Sequence, residues 1–318
     1  MKIIKMMKKI KKIKGIVLFS GGLDSVLAVK LAEKSGLKLI GLHFKSIFIP
    51  EADIKEIAEE INLPVKIIEI TSGQIKIVKK PRFGYGKNLN PCLDCRLLML
   101  ELAKREMKKQ KAEIIVTGEV VGQRPFSQNR NSLAFLEKTS RLKGKILRPL
   151  SAKLLPLTDL EKKSLIKRDV FLGIKGRSRQ IQLKLAEDLG IKRFLSPAGG
   201  CLLTNPSFAQ RLKQMVENWP DFNEKDCLLL KVGRHFWEDK VLFVVGRDFQ
   251  ENKQIGQLFQ KGDYLISGKG FPGPSILVRF KQKKDNKEFL EFIQSKAKEL
   301  ISRYAHKKPL VFDLKINY

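Results

Sequence analysis

The residues best suited to chemistry form one short segment near the N-terminus: Ser20, Gly21, Gly22, Asp24 and Ser25. An apolar run at residues 15–19 precedes them and predicts a strand, and residues 24–35 predict a helix. A strand that ends in such a turn aims backbone N–H groups and the positive end of a helix dipole at one point. The glycines allow an anion to approach closely, and the serine hydroxyls can donate to it. The segment predicts a phosphate site, with Asp24 placed to hold Mg²⁺ or to orient the ligand.

Three cysteines form the second candidate group. Cys92 and Cys95 stand in a C-x-x-C spacing at the start of a predicted helix, and Cys201 follows Gly199 and Gly200 about a hundred residues later. The sequence shows no secretory signal, so four cysteines favour metal binding or redox chemistry over structural disulfides. The glycines beside Cys201 would let its backbone approach a bulky cofactor.

The cysteine pattern is compatible with three chemistries. Cys92, Cys95 and Cys201 could hold a 4Fe-4S cluster with one iron left open for sulfur. They could instead form a persulfide relay, in which one cysteine carries the terminal sulfur and another resolves it as a disulfide. A structural zinc site would need Cys227 as its fourth ligand. Cys227 lies in an apolar run, which favours burial as a small hydrophobic residue.

The charge balance indicates a polyanionic partner. The 318 residues contain 63 Lys and Arg against 33 Asp and Glu, a net charge of +30. Such an excess attracts phosphate backbones, and counterion release then adds to the affinity. A lysine-rich proteome is the alternative explanation, but glutamate does not rise together with lysine here. We therefore expect the chain to bind nucleic acid.

The lysine-rich N-terminus, residues 1–14, resembles a signal peptide only superficially. Asp24 and Lys30 interrupt the apolar region that follows, and no small-residue cleavage site is present. No run of 18 apolar residues occurs elsewhere, so no membrane span or membrane partner is expected. The sequence predicts a cytoplasmic protein.

Strand and helix patterns alternate over the first half of the chain. This alternation predicts a doubly wound α/β domain with a parallel sheet, and such sheets bind ligands at the carboxyl ends of their strands. Residues 71–91 have the composition of a long loop that leads to Cys92 and Cys95. Further strands are predicted at residues 37–44, 65–70, 113–118 and 146–150, and further helices at 51–62 and 93–110.

The rest of the chain predicts two more parts. Residues 158–217 look helical, with a charged linker at 173–179 and a tight turn at 196–201. From about residue 218, short strands alternate with turn signals. We predict three domains: a nucleotide domain at 1–155, a helical linker with the third cysteine at 156–217, and a small α+β domain at 218–318.

The segment SGGLDS at residues 20–25 resembles the PP-loop, SGGxDS, of the ATP pyrophosphatases. No Gly-Lys-Ser/Thr follows it, so it is not a Walker A loop. The resemblance implies an adenine nucleotide alpha-hydrolase-like fold. It also implies that ATP adenylates a carbonyl oxygen and that pyrophosphate is released.

Further motifs narrow the resemblance to the tRNA thiouridine synthetases. TGEVVGQ at 117–123, with Ser127 and Gln128, resembles a segment of 4-thiouridine synthetases, and NPCLDC at 90–95 is similar to a loop of 2-thiouridine synthetases. SPAGGCLLT at 196–204 looks like a signature of a PP-loop subfamily described as tRNA thiouridylase-like. GRDFQEN at 246–252 weakly resembles the RNA-binding domain of ribosome quality-control proteins.

These resemblances imply ATP-dependent tRNA uridine thiolation, with tRNA as substrate and ATP, Mg²⁺ and a 4Fe-4S cluster as cofactors. The uridine oxygen would be adenylated, and sulfur at Cys92, Cys95 and Cys201 would then displace AMP. The sulfur donor would be sulfide or a persulfide carrier such as a cysteine desulfurase. A homodimer is a further expectation.

Several residues acquire expected roles from this reading. Gly118 and Glu119 would border the adenylation site beside Asp24, and Lys87 would help to neutralise phosphate charge. His43, near a strand end, is expected to be a packing residue or to lie on the adenine side. Four arginines are candidates for contacts with the tRNA backbone: Arg124, Arg148, Arg177 and Arg179.

Two other functions compete with thiolation. The same loop occurs in amide-forming ligases, which the +30 charge and the three cysteines disfavour. A non-enzymatic RNA-binding protein with a zinc-stabilised fold is the other alternative, and the complete SGGLDS segment disfavours it.

Overall fold

The computed structural model describes residues 13–51, 53–195, 200–268, 272–282, 286–305 and 314–317. The chain forms two compact units, Met1–Leu202 and Leu203–Tyr318. Among the described residues, no helix combines the length and the apolar character needed to cross a membrane.

The described part of the first unit contains a five-stranded parallel sheet in the order β3-β2-β1-β4-β5. The central strand β1 pairs with β2 on one side and β4 on the other, so the chain reverses direction of winding beside β1. This topology confirms the predicted doubly wound fold, which binds ligands at such a switch point. The strands are β1 (Ile13–Leu18), β2 (Leu37–Lys45), β3 (Val65–Glu69), β4 (Ile114–Thr117) and β5 (Ile146–Leu147).

Helices cover both faces of this sheet. Val17 of β1 belongs to one hydrophobic cluster, and its neighbours Ile16 and Leu18 belong to another, because successive strand residues point to opposite faces. A strand that is buried on both faces reads as a continuous apolar run, which is what residues 15–19 show. The helices are α1 (Leu23–Lys34), α2 (Lys55–Glu60), α3 (Thr71–Lys79), α4 (Cys92–Lys109), α5 (Arg130–Thr139), α6 (Asp159–Lys162) and α7 (Gln180–Asp188).

The prediction of a loop over residues 71–91 was wrong in its first part, where α3 forms. Thr71, Gln74, Ile75 and Val78 are buried, a helical spacing that packs this face of α3 inward. Gly73 is a packing residue rather than a loop residue, because a Cβ there would lie 2.9 Å from a methyl carbon of Leu98 on α4. Helix α5 was not predicted, and α2 is shorter than the predicted 51–62.

The observed division of the chain differs from the predicted boundary at residue 155. Phe171, Ile174 and Ala186 share a hydrophobic cluster with Val17 of β1 and Val26 of α1. Burial of these side chains attaches the segment after residue 155 to the first unit. This segment is also less helical than predicted, because α6 has four residues and α7 has nine.

The second unit is an α+β structure around an antiparallel sheet in the order β10-β8-β9-β7-β6. Phe243 of β7 and Ile276 of β9 pack with Ile293, Ala297 and Leu300 of the last helix. The elements are α8 (Pro206–Asn218), α9 (Glu224–Leu229), β6 (Arg234–Glu238), β7 (Val241–Val245), α10 (Phe249–Gln257), β8 (Tyr264–Gly268), β9 (Ile276–Arg279), α11 (Lys287–Tyr304) and β10 (Leu314–Asn317).

Candidate functional site

The loop between β1 and α1 presents backbone donors at the carboxyl end of the central strand. Gly21 has a φ of +75°, a conformation that favours glycine. The Ser25 hydroxyl donates to the carbonyl oxygen of Gly22 at 2.7 Å, and the Ser20 hydroxyl donates to Ser25 Oγ at 3.2 Å. Gly22 is the N-cap residue of α1 and brings no side chain to the first turn. The loop therefore has the local geometry of an anion site.

Side chains from distant parts of the chain surround the Asp24 carboxylate. Gln123 donates from Nε2 to Oδ2 at 2.9 Å, and Gln182 donates from Nε2 to Oδ1 at 3.4 Å. Arg179 lies 3.9 Å from Oδ2 through its Nη2 atom. Carboxylate oxygens are the ligands that Mg²⁺ prefers, so Asp24 is suited to hold this ion.

Gly118 follows β4 and lies against the backbone at the start of α1. A Cβ on Gly118 would be 2.6 Å from the carbonyl oxygen of Asp24, closer than any real side chain allows. The glycine therefore lets the end of β4 meet the PP-loop.

Glu119 is the centre of a buried ion network rather than an exposed acid. Its carboxylate contacts Arg148 Nε at 2.9 Å, Arg96 Nη2 at 3.2 Å and the Thr117 hydroxyl at 3.1 Å. Arg148 also pairs with Glu137. Burial alone would raise the pKa of Glu119, but the charges of Arg96 and Arg148 hold it below its usual value.

The expectation that Arg148 contacts the tRNA backbone was wrong. The residue is 3% exposed, and its guanidinium is engaged by two carboxylates. A phosphate outside the protein has no access to a side chain in this position. Its role is to neutralise Glu119 and Glu137 inside the domain.

Cys92 and Cys95 lie on the first turn of α4, as predicted. Gln74 on α3 approaches Cys95, with 3.6 Å between Nε2 and Sγ. Burial, together with smaller contributions from nearby Cys201 and Cys92, raises the pKa of the Cys95 thiol to about 12. Burial also raises the pKa of Cys92, against the opposing charges of Arg124 and Arg96. The three cysteines are therefore close enough to influence one another electrostatically.

The donor set consists of thiols, which are the ligands that iron–sulfur clusters take. All four cysteines are thiols. In the described part of the chain, no three His, Cys, Asp or Glu side chains are arranged to hold one metal ion. A cluster does not need its ligand sulfurs to converge on one point, because each cysteine binds a different iron. Cys227, the fourth ligand that a zinc site would need, is buried in α9.

A single cavity of 830 Å³ brings the two candidate groups together. We call it the shared cavity. Cys201 reaches it from the predicted turn at 196–201, of which residues 196–199 lie outside the described residues. The residues that line the shared cavity include Ser20, Asp24, Ser25, Cys92, Cys95, Cys201, Gly118 and Glu119.

His43 lies towards the end of β2 and lines both the shared cavity and a neighbouring cavity of 590 Å³. Its Nδ1 donates to the carbonyl oxygen of Phe19 at 3.1 Å, which leaves Nε2 as the acceptor of the neutral ring. Burial and the charge of Lys45 lower the pKa of His43, whereas the hydrogen bond to Phe19 raises it, and the net effect is a lowered pKa. The imidazole is therefore neutral at pH 7.

Three residues that the sequence patterns did not single out also contact the site: Gln182, Arg96 and Gln74. Gln182 stands three residues after Arg179 at the start of a helix. This Arg-x-x-Gln spacing places both side chains on one face of the helix and was the sequence feature that could have indicated Gln182. The residues next to Arg96 and Gln74 in the sequence do not indicate a role for either, because the partners of both side chains lie on other elements. Lys87 is exposed in the segment before α4 and does not line the shared cavity as described.

The first half of the chain is similar to known proteins. Residues 11–165 match the family model "Thiamine biosynthesis protein (ThiI)". A "Probable tRNA sulfurtransferase" of Moorella thermoacetica is 32% identical over 148 residues, which are 44% of this chain and 36% of that protein. A relative with the same description from Natranaerobius thermophilus is 29% identical over 168 residues, 50% of this chain and 38% of the relative. The chain therefore spans less than two-fifths of these relatives.

Solved structures show weaker likeness. One is a 4-thiouridine synthetase–RNA complex with bound ATP, with a TM-score of 0.36 and 22% identity, covering 69% of this chain and 52% of that one. Another is the U34-tRNA thiolase NcsA of Methanococcus maripaludis with its [4Fe-4S] cluster, with a TM-score of 0.33 and 19% identity, covering 66% and 68%. At TM-scores this low, no function is assigned to this chain from either structure.

The matched residues 11–165 contain the SGGLDS loop, the C-x-x-C helix and every strand of the parallel sheet. This segment of the chain is therefore similar to the ThiI family, and its SGGLDS loop resembles that of the PP-loop class.

Proposed function

We propose that this protein thiolates a tRNA uridine in an ATP-dependent reaction that releases AMP and pyrophosphate. The observation that carries the proposal is the shared cavity, which is lined by Ser20, Asp24 and Ser25 and also by the three cysteines. An adenylating loop needs no thiols, and a redox pair needs no phosphate loop. Their meeting in one cavity supports activation of a carbonyl and delivery of sulfur at one place.

The nucleotide half of the site consists of the loop at residues 20–25 and Asp24. The loop N–H groups and the α1 dipole would hold the phosphates of ATP, and Asp24 would hold Mg²⁺. The uridine oxygen would attack the α-phosphate, and pyrophosphate would leave. Gly118 keeps the end of β4 close to the loop, where the adenylated uridine would lie. His43 would lie on the adenine side.

The sulfur half of the site consists of Cys92, Cys95 and Cys201. They would hold a 4Fe-4S cluster, which supplies an open iron position for sulfur when it is bound. Gln74 and Asn90 contact the first two thiols and would fix their orientation. A persulfide relay on the same cysteines is the alternative, and the absence of a preformed single-ion site among the described residues is compatible with both.

The distribution of charge supports an RNA substrate bound largely by the first unit. Residues 1–202 carry 42 of the 63 Lys and Arg but 19 of the 33 Asp and Glu, an excess of 23 positive charges. Residues 203–318 carry an excess of seven. A field of this sign would attract the tRNA backbone towards the unit that contains the shared cavity. Sulfide or a persulfide carrier would supply the sulfur.

The proposal is tested with anaerobically purified protein, unmodified tRNA, Mg²⁺-ATP and sulfide. We expect nucleoside mass spectrometry to detect a thiouridine, and the position of the sulfur to follow from comparison with 2-thiouridine and 4-thiouridine standards. AMP and pyrophosphate should form in equal amounts. Asp24→Ala should abolish both products, whereas Asp169→Asn, an exposed acid outside the described lining of the cavity, should not.

Two outcomes would contradict the proposal. Formation of ADP and phosphate would show that the loop does not adenylate. Unchanged thiouridine in tRNA from a deletion strain, together with no product in vitro, would reject thiolation. Iron and sulfide analysis distinguishes the two sulfur mechanisms, because a persulfide relay needs neither element in stoichiometric amount.

A further inference from the structure

We propose that Arg179 binds the phosphate groups of ATP from the α7 side of the shared cavity, so that it belongs to the nucleotide site and not to the tRNA surface. The inference rests on the proposed function in taking ATP as the ligand. It changes the role that the sequence suggested for this arginine, which was a contact with the tRNA backbone.

The position of Arg179 beside the PP-loop is the first support. Its Nη2 atom lies 3.9 Å from Asp24 Oδ2. Within the described part of the chain, Asp24 is the only carboxylate within ion-pair distance of Arg179. A contact of 3.9 Å is too long for a hydrogen bond, so the guanidinium keeps its donors for another group. Arg179 lines the shared cavity with Ser20 and Ser25.

Helix α7 contacts the PP-loop through a second residue, Gln182. The residue is 0% exposed, and its Nε2 atom donates to Asp24 Oδ1, but its Oε1 atom has no hydrogen-bond partner among the described residues. Gln182 thus orients the Asp24 carboxylate from α7, although it is not among the described residues that line the shared cavity. Arg179 is the N-cap residue of the nine-residue helix α7, whose positive end adds to the attraction for an anion.

The neighbouring charges favour an anion at the same place. Arg124 lines the shared cavity and has no ion pair within the described part of the chain. Loss of water lowers the pKa of Arg124, and repulsion from Arg96 and Arg179 lowers it further, with Asp24 opposing. Two guanidinium groups thus lie in this region without a hydrogen-bonded carboxylate, and a phosphate would relieve their repulsion.

Arg177 provides the matched comparison. It lies two residues before Arg179 and is exposed, and it is not among the described residues that line the shared cavity. If the segment served only to contact tRNA, both arginines would act alike. The geometry instead separates them into one residue that faces the loop and one that faces solvent.

The test is ATP binding by calorimetry on the full protein without tRNA or sulfur. Arg179→Gln should raise the Kd for Mg²⁺-ATP at least about tenfold, because a charged hydrogen bond is lost. Arg177→Gln should leave it within about twofold of the wild-type value. Arg179→Lys should fall between wild type and Arg179→Gln, because it keeps the charge but not the fork of donors. tRNA affinity should stay unchanged in Arg179→Gln.

Equal ATP affinity in wild type, Arg179→Gln and Arg179→Lys would overturn the inference. So would loss of tRNA affinity in Arg179→Gln with ATP binding intact. The proposed function fails separately: a wild-type protein that binds ATP but forms no thiouridine rejects thiolation and leaves the binding comparison valid. Circular dichroism melting checks the fold, which should survive because the side chain is one-third exposed.

Discussion

The backbone of Asp24 lies directly against Gly118. A Cβ on Gly118 would be 2.6 Å from the Asp24 carbonyl oxygen and 2.8 Å from the Ser25 nitrogen. Because both contacts are to backbone atoms, no side-chain rotation can relieve them. The end of β4 and the first turn of α1 are thereby held in one arrangement.

We expect Gly118→Ala to displace the PP-loop. A shift of about 1 Å at a reacting centre can reduce the rate on the order of 100-fold, so AMP formation should fall by that amount. The measurement is release of pyrophosphate with saturating tRNA. Gly173→Ala is the control, because a Cβ there would meet its nearest atom at an ordinary 3.5 Å. Full activity in Gly118→Ala would contradict this prediction, because it would show that a Cβ at residue 118 does not disturb the reacting groups.

Sequence reasoning succeeded where the signal was contiguous. The strand, loop and helix around Ser20–Ser25 and the helix that starts at Cys92 depend on neighbouring residues and were predicted within a few positions. It failed where burial depends on distant partners. Nothing near Arg148 reveals that folding places it between Glu119 and Glu137, 29 and 11 residues away. The environment of Asp24 likewise required Gln182, 158 residues distant.

Arg148→Met should destabilise the protein and leave its intrinsic tRNA affinity unchanged. Removal of the guanidinium leaves buried Glu119 with Arg96 as its remaining cationic partner and takes the partner of half-buried Glu137, at a cost of up to about 3–5 kcal/mol. Urea denaturation followed by circular dichroism measures the change, and tRNA affinity is measured where the variant remains folded. Arg177→Met, at an exposed position, should change the free energy of unfolding by less than about 0.5 kcal/mol. A fully stable Arg148→Met variant with weaker tRNA binding would restore the surface role.

The ion network of Glu119, Arg96 and Arg148 predicts that the stability of the fold decreases in acid. The pKa of Glu119 is lowered in the folded state, so the unfolded chain takes up a proton first as the pH falls. This contribution to stability is present above the ordinary glutamate pKa of about 4.3 and is lost as the pH falls through the folded value. The circular dichroism transition should therefore move to lower urea concentration below that pH. Glu119→Gln should reduce this dependence.

His235 in the second unit should make stability depend on pH in a different range. Burial and the nearby charge of Arg211 together lower the pKa of His235 to about 4, against the hydrogen bond that Nε2 donates to the Leu229 carbonyl oxygen at 3.0 Å. The unfolded histidine binds a proton below about 6.5. Stability should therefore fall as the pH drops from about 6.5 to about 4, by up to about 3 kcal/mol.

The fluorescence of Trp219 and Trp237 measures this loss of stability, because both tryptophans of the chain lie in the second unit. Their ring centroids are 4.7 Å apart. His235→Gln should flatten the pH dependence of the urea midpoint. An unchanged slope in that variant would assign the titration to another group.

The four cysteines should separate into three that support thiolation and one that does not. Cys92→Ser, Cys95→Ser and Cys201→Ser should abolish thiouridine formation and lower bound iron, with Mg²⁺-ATP affinity retained. Cys227→Ala should retain activity and iron, because its side chain is a buried hydrophobic group in α9. Loss of bound zinc from all four variants would instead revive the zinc alternative.

Phe249 tests whether the second unit binds RNA. The residue begins α10 and is 82% exposed, and neighbouring Arg247 is held by Glu251 through Nε at 2.9 Å. An exposed ring beside an ordered guanidinium can stack on an unpaired base, which contributes about 1–3 kcal/mol. Phe249→Ala should therefore weaken tRNA binding about tenfold or more without altering the melting temperature, as measured by filter binding. Leu165→Ala, at a 50% exposed apolar position in the first unit, should leave it unchanged. Equal affinity in both variants would assign RNA binding to the more strongly basic first unit.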